Sequence, residues 1–518
     1  MHAALRVERF RGGAGDPAGD GHGGRARVGR SSPLGAVSQT LQCGESTRSP
    51  AEGASQGKGS QGTRMMMNTG IGERAVVVGC GVGGIFAAGA LHRHFREVVV
   101  VDKDDLSSGP SFRKGVPQGP HGHIVLKRGE NIAEAMFPGF RDALRTAGGI
   151  ELVTGRDMAR FAFGKWSEPL DSDMTVFSQT RPLLEHVLRE CLRSIPNVTI
   201  RSGCRFSDFL FDDHRIHGVS ILREGRIREE VEADLVIDAS GRGTGTPRWL
   251  SENGFGEVET ERLGIDLCYV TGIFATDRFE DGYARLCTVG QSPPAVRGGS
   301  ALPVEGRRWM ITLSGRGDDV PSVDPEAFLA FAKSLPDPCV YDRISEGRLE
   351  GSVRRFKTPE SFWRKYESMA DFPEGFVPIG DAVAGFNPIF GQGMSVAAVE
   401  AERLGLLLDE RAESGRGLDG LREEALPGIS ASIAEAWEGP ATIDYLYDST
   451  VGERPVDYPI RRAVFFAMQE MAEEDPVLRQ LQFEVGNMLK PREALFTAEV
   501  QARLQERLAS AAGIEGNP

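Results

Sequence analysis

The sequence predicts an α/β fold in which a βαβ-based domain is interrupted by a mainly antiparallel β layer and followed by a helical C-terminal region. Three observations carry this prediction. Residues 75–104, AVVVGCGVGGIFAAGALHRHFREVVVVDKD, read as strand, glycine turn, helix and strand. Residues 261–275, 284–289, 298–304 and 308–314 read as a run of short strands too closely spaced for crossover helices, so they pair antiparallel. Residues 375–404, GFVPIGDAVAGFNPIFGQGMSVAAVEAERL, repeat the strand, glycine loop and helix far along the chain.

In the first stretch the strand Ala75 to Val78 enters a G-x-G-x-x-G turn at Gly79, Gly81 and Gly84. The first glycine makes the tight turn, the second lets a pyrophosphate approach the backbone, and the third lets helix and strand pack closely. The helix that follows presents free N–H groups and the positive end of its dipole. A second apolar strand, Val98 to Val101, ends on Asp102, about 20 residues on, where a carboxylate accepts from a ribose hydroxyl. A bound dinucleotide is expected, with NAD and FAD equally suited at this point. The plainer alternative is a helix-packing turn with Asp102 as a solvated strand end.

At 518 residues the length suggests about two to four domains. Hydrophobic residues are 40% and charged residues 26%, a globular composition. The net charge of -14 argues against a nucleic-acid partner. No run of about 18 apolar residues is present, so no transmembrane segment is expected. The seven cysteines, at 43, 80, 191, 204, 268, 287 and 339, form no metal-ligand spacing and no disulfide framework. No metal is expected, and the expected compartment is a reducing cytoplasm. Residues 1–70 are rich in Gly, Ser and Arg and lack apolar periodicity. They read as a disordered tail or as over-extended reading frame ahead of Met65, Met66 and Met67, not as an export signal.

After Asp102 the loop 107–126 is dense with donors, among them Arg113, Lys114, Gln118, His121 and His123. It is placed to fold over an adenosine and pyrophosphate, and its histidines read as pins for the loop. His92 and His94 read as surface residues of the first helix. Residues 128–150 read as one helix ending at Gly148-Gly149. Arg160 to Trp166 and Met174 to Ser178 read as the two arms of a hairpin. Arg181-Pro182 opens a helix with a buried stripe of Leu183, Leu184, Val187, Leu188 and Cys191. Arg181 at its start can reach a phosphate or serve as a surface cap. Residues 197–207 and 216–223 read as strands. Ala233 to Gly243 is a continuous apolar strand ending in a glycine turn, the pattern of a central parallel strand with a ligand-facing C-terminal end. In the third stretch, Gly380-Asp381 follows a strand, and Gly391-Gln392-Gly393 opens a helix beyond Asn387-Pro388. Two helix N-termini and a carboxylate suit a long cofactor, while Asp381 as a simple cap is the plainer alternative. Residues 425–510 read as helical, with Asp475-Pro476 as a cap and first-turn pair.

Taken in order, GCGVGG at 79–84 with Asp102, Arg181, DLVIDASGRG at 234–243, and Gly380-Asp381 with Pro388 and Gly391-Gln392-Gly393 resemble the FAD-dependent monooxygenases of the aromatic-hydroxylase and squalene-epoxidase type. The resemblance covers about residues 74–410. Within that group RKGVPQGPHGHIVL at 113–126 and GFNPIFGQGMS at 385–395 are most similar to bacterial polyether epoxidases, which act on linear polyketides. The chain departs from aromatic hydroxylases at 238–243, DASGRG, and in lacking a histidine after Asp381.

The resemblance implies a glutathione-reductase-type FAD-binding Rossmann-like domain made of 72–150, 181–254 and 371–424. It implies an inserted, mainly antiparallel β substrate domain, 151–180 and 255–370, and a C-terminal helical region, 425–518. Gly79, Gly81 and Gly84 would hold the pyrophosphate, Asp102 the ribose, Arg113 and Arg181 phosphate or ribose, and Gly241 the cofactor at its turn. Asp381 would bind the ribitol region, with Pro388, Gly391, Gln392 and Gly393 at the isoalloxazine. No protein catalytic residue is implied, because the flavin, through a C4a-hydroperoxide formed with O2, would carry the chemistry. Electrons would come from NAD(P)H or from reduced flavin delivered by a separate flavin reductase, since no second dinucleotide motif is present. The substrate would be an apolar small molecule, an alkene of a polyketide or terpenoid. Its pocket would be lined by Phe163, Trp166, Phe177, Tyr269 and Trp309, with Phe161 and Phe274 as further candidates. An FAD dehydrogenase or reductase without oxygen insertion, and a non-redox flavoprotein cyclase, remain alternatives. A flavin halogenase is disfavoured by the lack of W-x-W-x-I-P.

Overall fold

A computed structural model describes residues 70–515 apart from 108, 171, 277–278 and 280–285. The tail expected at 1–70 lies outside the described residues except for Gly70.

Five parallel strands form the first sheet, in the spatial order Phe376–Pro378, Leu235–Asp238, Gly72–Val78, Phe95–Val101 and Val198–Arg201. Its strands are apolar on both faces because helices cover both; Ala75, Val76, Val77, Leu235, Val236 and Ile237 are fully buried. The helix Val82–Leu91 is buried along nearly its whole length and packs on the long helix Gly393–Glu413. The helix Arg181–Arg193 starts where predicted, with Pro182 in its first turn and the Thr180 side chain accepting from Leu183 N–H at 3.3 Å.

The second sheet has eight strands, in the order Ala384–Gly385, Arg348–Arg364, Thr260–Ala275, Arg308–Arg316, Gly298–Val304, Leu286–Val289, Met158–Ala162 and Lys165–Trp166. All its pairings are antiparallel except that of Met158–Ala162 with Leu286–Val289. One face packs on Phe328, Phe331 and Val340 from the helices Pro325–Lys333 and Cys339–Asp342. The other face looks toward the parallel sheet. The short strand Ala384–Gly385 pairs with Phe362 and Trp363, so the Gly380 segment is stitched directly to the second sheet.

Several sequence expectations change. The segment 128–150 is two helices, Lys127–Met136 and Phe140–Thr146, because Pro138-Gly139 breaks it, with Gly139 at φ +89°. Met158–Ala162 and Thr175–Ser178 are not partners. The first forms its own hairpin with Lys165–Trp166, and the second pairs with Ile150–Val153. The strands near 197–223 extend into a third sheet of Cys204–Asp212, Arg215–Arg223 and Ile227–Glu232. The 17-residue strand Arg348–Arg364 escapes sequence reading because its solvent-facing charges mask alternation. His94 is buried, with Nε2 3.5 Å from Asp409, because the first helix ends at Leu91 and the chain turns inward. The expected division at 424/425 falls inside one helix, Leu421–Asp444, which contributes Leu426, Ile429, Ile433 and Trp437 to the core of the parallel-sheet domain.

Candidate functional site

Strand Gly72–Val78 ends at the first glycine turn. Gly79 has φ +103°, and a Cβ there would lie 2.5 Å from the Ala239 carbonyl oxygen. A Cβ on Gly84 would lie 1.9 Å from the Gly79 oxygen, so helix and strand approach as closely as a hydrogen permits. Gly81 differs: a Cβ there meets nothing nearer than Arg113 Nη2 at 4.0 Å, and the space beyond is cavity.

Asp102 is nearly buried and already occupied. Its Oδ2 accepts from Cys80 N–H at 2.7 Å and from Arg113 Nη1 at 3.1 Å, and its Oδ1 from Asp104 N–H at 2.8 Å. Arg113 also donates to the Cys80 carbonyl at 2.8 Å and to Glu185 Oε2 at 2.8 Å. Arg181 Nε reaches Glu185 Oε1 at 2.7 Å, and Arg189 Nη1 reaches Oε2 at 3.3 Å. Burial alone would raise the Glu185 carboxyl, but Arg181 and Arg113 hold it below the usual range. Burial, then Asp102, pushes the Cys80 thiol up to about 12, so it stays protonated in the turn.

The second glycine region lies beside the first. A Cβ on Gly83 would be 3.6 Å from Ala397 Cβ and 4.0 Å from Gly380 Cα. Beneath it, Glu400 Oε2 accepts from Gly380 N–H at 2.6 Å. Burial, and the charge of Asp381, push the Glu400 carboxyl up to about 8. Arg242 bridges the glycine regions: it donates to the Glu360 and Phe386 carbonyls and its Nε lies 3.9 Å from Asp381 Oδ2. Asp238 holds the turn before it, accepting from Thr244 Oγ1 at 2.5 Å and Thr246 Oγ1 at 2.6 Å.

Beyond Asp381, Asn387 Nδ2 donates to Asp444 Oδ1 at 2.8 Å, and its own Oδ1 caps the short turn Pro388–Phe390. Asp444 also accepts from Arg316 Nη2 at 2.7 Å, and the Arg316 guanidinium lies over the Tyr447 ring at 4.2 Å. Gly391, at φ +66°, turns the chain into helix Gly393–Glu413, whose first N–H groups have no partner within the helix.

One cavity of about 2660 Å³ joins these parts to the inner face of the second sheet. Of the expected residues, Gly79, Gly81, Asp102, Arg113, Arg181, Gly241, Asp381, Pro388, Gly391, Gln392 and Gly393 all lie on its wall, as do Phe163, Trp166 and Tyr269. Gly84 lies just behind it, at the turn.

The family model described as FAD dependent oxidoreductase matches residues 75–246. Protein Rv3254 of Mycobacterium tuberculosis is 30% identical over 423 residues, spanning 79% of this chain and 88% of that protein. The chain belongs to the FAD-dependent oxidoreductase family. Among solved structures it is similar to p-nitrophenol 4-monooxygenase PnpA from Pseudomonas putida DLL-E4, at 20% identity and a TM-score of 0.59 over 81% of this chain and 99% of that one. It is similar as well to a flavoprotein/dehydrogenase from Cytophaga hutchinsonii, with 17% identity, a TM-score of 0.59 and coverage of 80% and 93%. The flavin-dependent brominase Bmp2 gives 13% identity, a TM-score of 0.58 and coverage of 85% and 98%. At these identities the likeness is one of fold: a Rossmann-type FAD-binding α/β domain with mixed sheets and C-terminal helices.

The oxidoreductase's own residues fit FAD. A Cβ on Gly241 or Gly391 would meet nothing within 4 Å, so both turns leave room in the cavity for a ligand against the backbone. Gln392 Oε1 is buried on the same wall with no partner in the protein. Among the described residues no cluster of His, Cys, Asp or Glu has the arrangement of a metal site.

Four of the candidate pocket residues are not on the cavity wall. Trp309 is 1% exposed and shares strand parity with Ile311 and Leu313, so the period of two carries it to the far face against the helix Pro325–Lys333. Phe274, its registered partner, goes with it, and Phe161 faces the same way. Phe177 lies in the core of the parallel-sheet domain, under the Arg145 guanidinium, while its neighbour Val176 faces the cavity. Conversely, His121 does more than pin a loop. Its Nδ1 bonds Thr271 Oγ1 at 2.8 Å, and its Nε2 is buried without a partner on the cavity wall, as is the Tyr269 hydroxyl. Burial pushes the His121 imidazole down to about 4, so it is neutral. Arg242, Asn387, Arg316, Asp444 and Tyr447 also escape sequence reasoning. Arg242 alone has a local signal, its place inside the glycine turn.

Proposed function

We propose that this oxidoreductase is an FAD-dependent monooxygenase that inserts one atom of O2 into an alkene of a polyketide or terpenoid, as an epoxidase. The observation that carries the reading is the single cavity, which runs from the glycine turn of the first βαβ unit, past Asp381 and Gly391-Gln392-Gly393, to the inner face of the second sheet. In this reading the segments 72–150, 181–254 and 371–424 hold the cofactor, and 151–180 with 255–370 enclose the substrate. Gly79, Gly81 and Gly84 admit the pyrophosphate, with Asp102, Arg113 and Arg181 around the adenosine ribose and phosphate. Asp381 and the Gly241 turn receive the ribitol, while Pro388 and Gly391 to Gly393 border the ring. FAD, reduced by NAD(P)H or by flavin from a reductase, supplies the activation of O2. The protein binds, orients and excludes water. The N–H groups opening helix Gly393–Glu413 favour negative charge at the ring edge. Neutral His121 and the Tyr269 hydroxyl offer hydrogen bonds to substrate oxygens.

The test is turnover of purified, FAD-loaded enzyme with a reductant under 18O2 on a panel of long-chain polyenes. One 18O atom in the product supports the reading. A product without label sinks it in favour of a dehydrogenase or cyclase.

A further inference from the structure

Across the cavity face of the second sheet runs one row of polar side chains. The strand registers align Arg160 with Thr288, Thr288 with Ser300, Ser300 with Thr312, and Thr312 with Thr271. Four inter-strand steps make this row about 19 Å long. At one end Thr271 carries His121; at the other stands Arg160. On one side the flanking row of the same face, Met158, Leu286, Leu302, Met310 and Ile273, is wholly apolar, and on the other it carries Tyr269 and Ser314.

Arg160 is the unusual member. Its side chain is exposed and lies on the cavity wall. Among the described residues no carboxylate pairs with it, and the one group that favours its charge is the Tyr447 phenol. The contrast is Arg316 on the same wall, which is neutralised by Asp444 at 2.7 Å. A guanidinium on the cavity wall with no carboxylate partner among the described residues is available to an anionic ligand group. The two glycine regions that suit the cofactor phosphates lie on the parallel-sheet side of the cavity, whereas Arg160 stands on the outer strands of the antiparallel sheet.

We propose that Arg160 binds the carboxylate of an elongated, amphipathic substrate, and that Thr288, Ser300 and Thr312 meet oxygen functions along its length. This rests on the oxygenation reading for the identity of the reaction, though not for the binding itself. The substrate is then a long unsaturated acid with spaced hydroxyl or carbonyl groups, and not a plain hydrocarbon. A guanidinium is suited to this because its planar donors match a carboxylate in two parallel hydrogen bonds.

The probes are cis-parinaric acid, a fluorescent long-chain polyene acid, and its methyl ester, titrated at neutral pH into FAD-loaded enzyme with binding read from the polyene emission. Wild-type enzyme should bind the acid about tenfold or more tighter than the ester, as expected for a charge-assisted pair. Arg160→Gln should abolish that preference while leaving the ester's affinity and the bound FAD unchanged. Arg160→Lys should retain much of it. Equal affinity for acid and ester in the wild type overturns the proposal, as does an undiminished preference in Arg160→Gln. If Arg160→Gln fails to fold, the wild-type comparison and Arg160→Lys still decide. A retained acid preference with no 18O in product would overturn the oxygenation reading alone; labelled product with no acid preference would overturn this inference alone.

Discussion

Substituting Gly81 separates a glycine turn that binds a cofactor from one that merely packs. Gly81 caps the helix Val82–Leu91 at φ -80° and ψ -176°, extended backbone that alanine adopts freely. A Cβ at this position would stand 4.0 Å from the nearest protein atom, so Gly81→Ala introduces no clash within the protein. Alanine is a poorer helix cap than glycine, so unfolding free energy of the cofactor-free protein should fall by under about 1 kcal/mol. The same methyl occupies the space through which a pyrophosphate would reach the backbone. Losing one charge-assisted hydrogen bond costs about 1.5–3 kcal/mol, or about 10- to 150-fold in FAD affinity. Gly84→Ala is the contrasting variant. Its Cβ would sit 1.9 Å from the Gly79 oxygen, so helix and strand must part. Such overpacking costs about 1–3 kcal/mol in stability and also displaces the N–H donors. The assay is thermal unfolding of cofactor-free protein beside FAD titration followed by flavin fluorescence. Wild-type FAD affinity in Gly81→Ala would refute the reasoning and leave the turn as a packing feature.

Two further outcomes follow from buried charge. Arg113→Ala should destabilise the protein by about 3 kcal/mol in denaturant unfolding, because Glu185 and Asp102 are left buried with part of their compensation gone; a loss under about 1 kcal/mol would mean that Arg181 and Arg189 suffice for Glu185. Glu400 in the folded protein keeps its proton up to about 8 against an ordinary 4.5, so between these values the folded state binds the extra proton and stability falls as pH rises. Glu400→Gln should flatten the melting temperature between pH 5 and 8 by removing that contribution, and an unchanged slope would show that another group sets it.

The cofactor side of the molecule is legible because its signals are local and backbone-based. Gly79, Gly81 and Gly84 are read from spacing alone, and each has the steric environment that its place in the turn requires. The third stretch is legible for the same reason, with Gly391 at φ +66° and Gln392 at the helix start. The substrate side is less so. Most of its strands are found, though Arg348–Arg364 is missed, but which aromatic side chains face the cavity depends on parity across a register. Phe177 is one residue away from cavity-facing Val176, and Trp309 has the opposite parity to cavity-facing Thr312, so a one-residue error in a strand exchanges faces. The polar row is illegible in principle: Arg160, Thr271, Thr288, Ser300 and Thr312 come from five strands and no linear spacing links them. Arg160 nevertheless stands out as a lone cation in the apolar segment Ala159 to Phe163.

Asp102 illustrates how a motif residue acquires a second duty that its spacing does not reveal. Sequence logic assigns it to a ribose, yet its Oδ2 already receives the Cys80 N–H inside the glycine turn and an Arg113 donor. A carboxylate has about four acceptor positions, so these bonds leave capacity for a hydroxyl. They also tie the turn to the second strand before any ligand arrives, and Arg113 extends the tie to Glu185 on the helix that begins with Arg181. The geometry of the turn is thus set by protein–protein bonds, and a dinucleotide entering it would not bear the cost of ordering these side chains. That preorganisation is why the charged cluster around Glu185 belongs with the glycine turn, although the two are separated by about a hundred residues of chain.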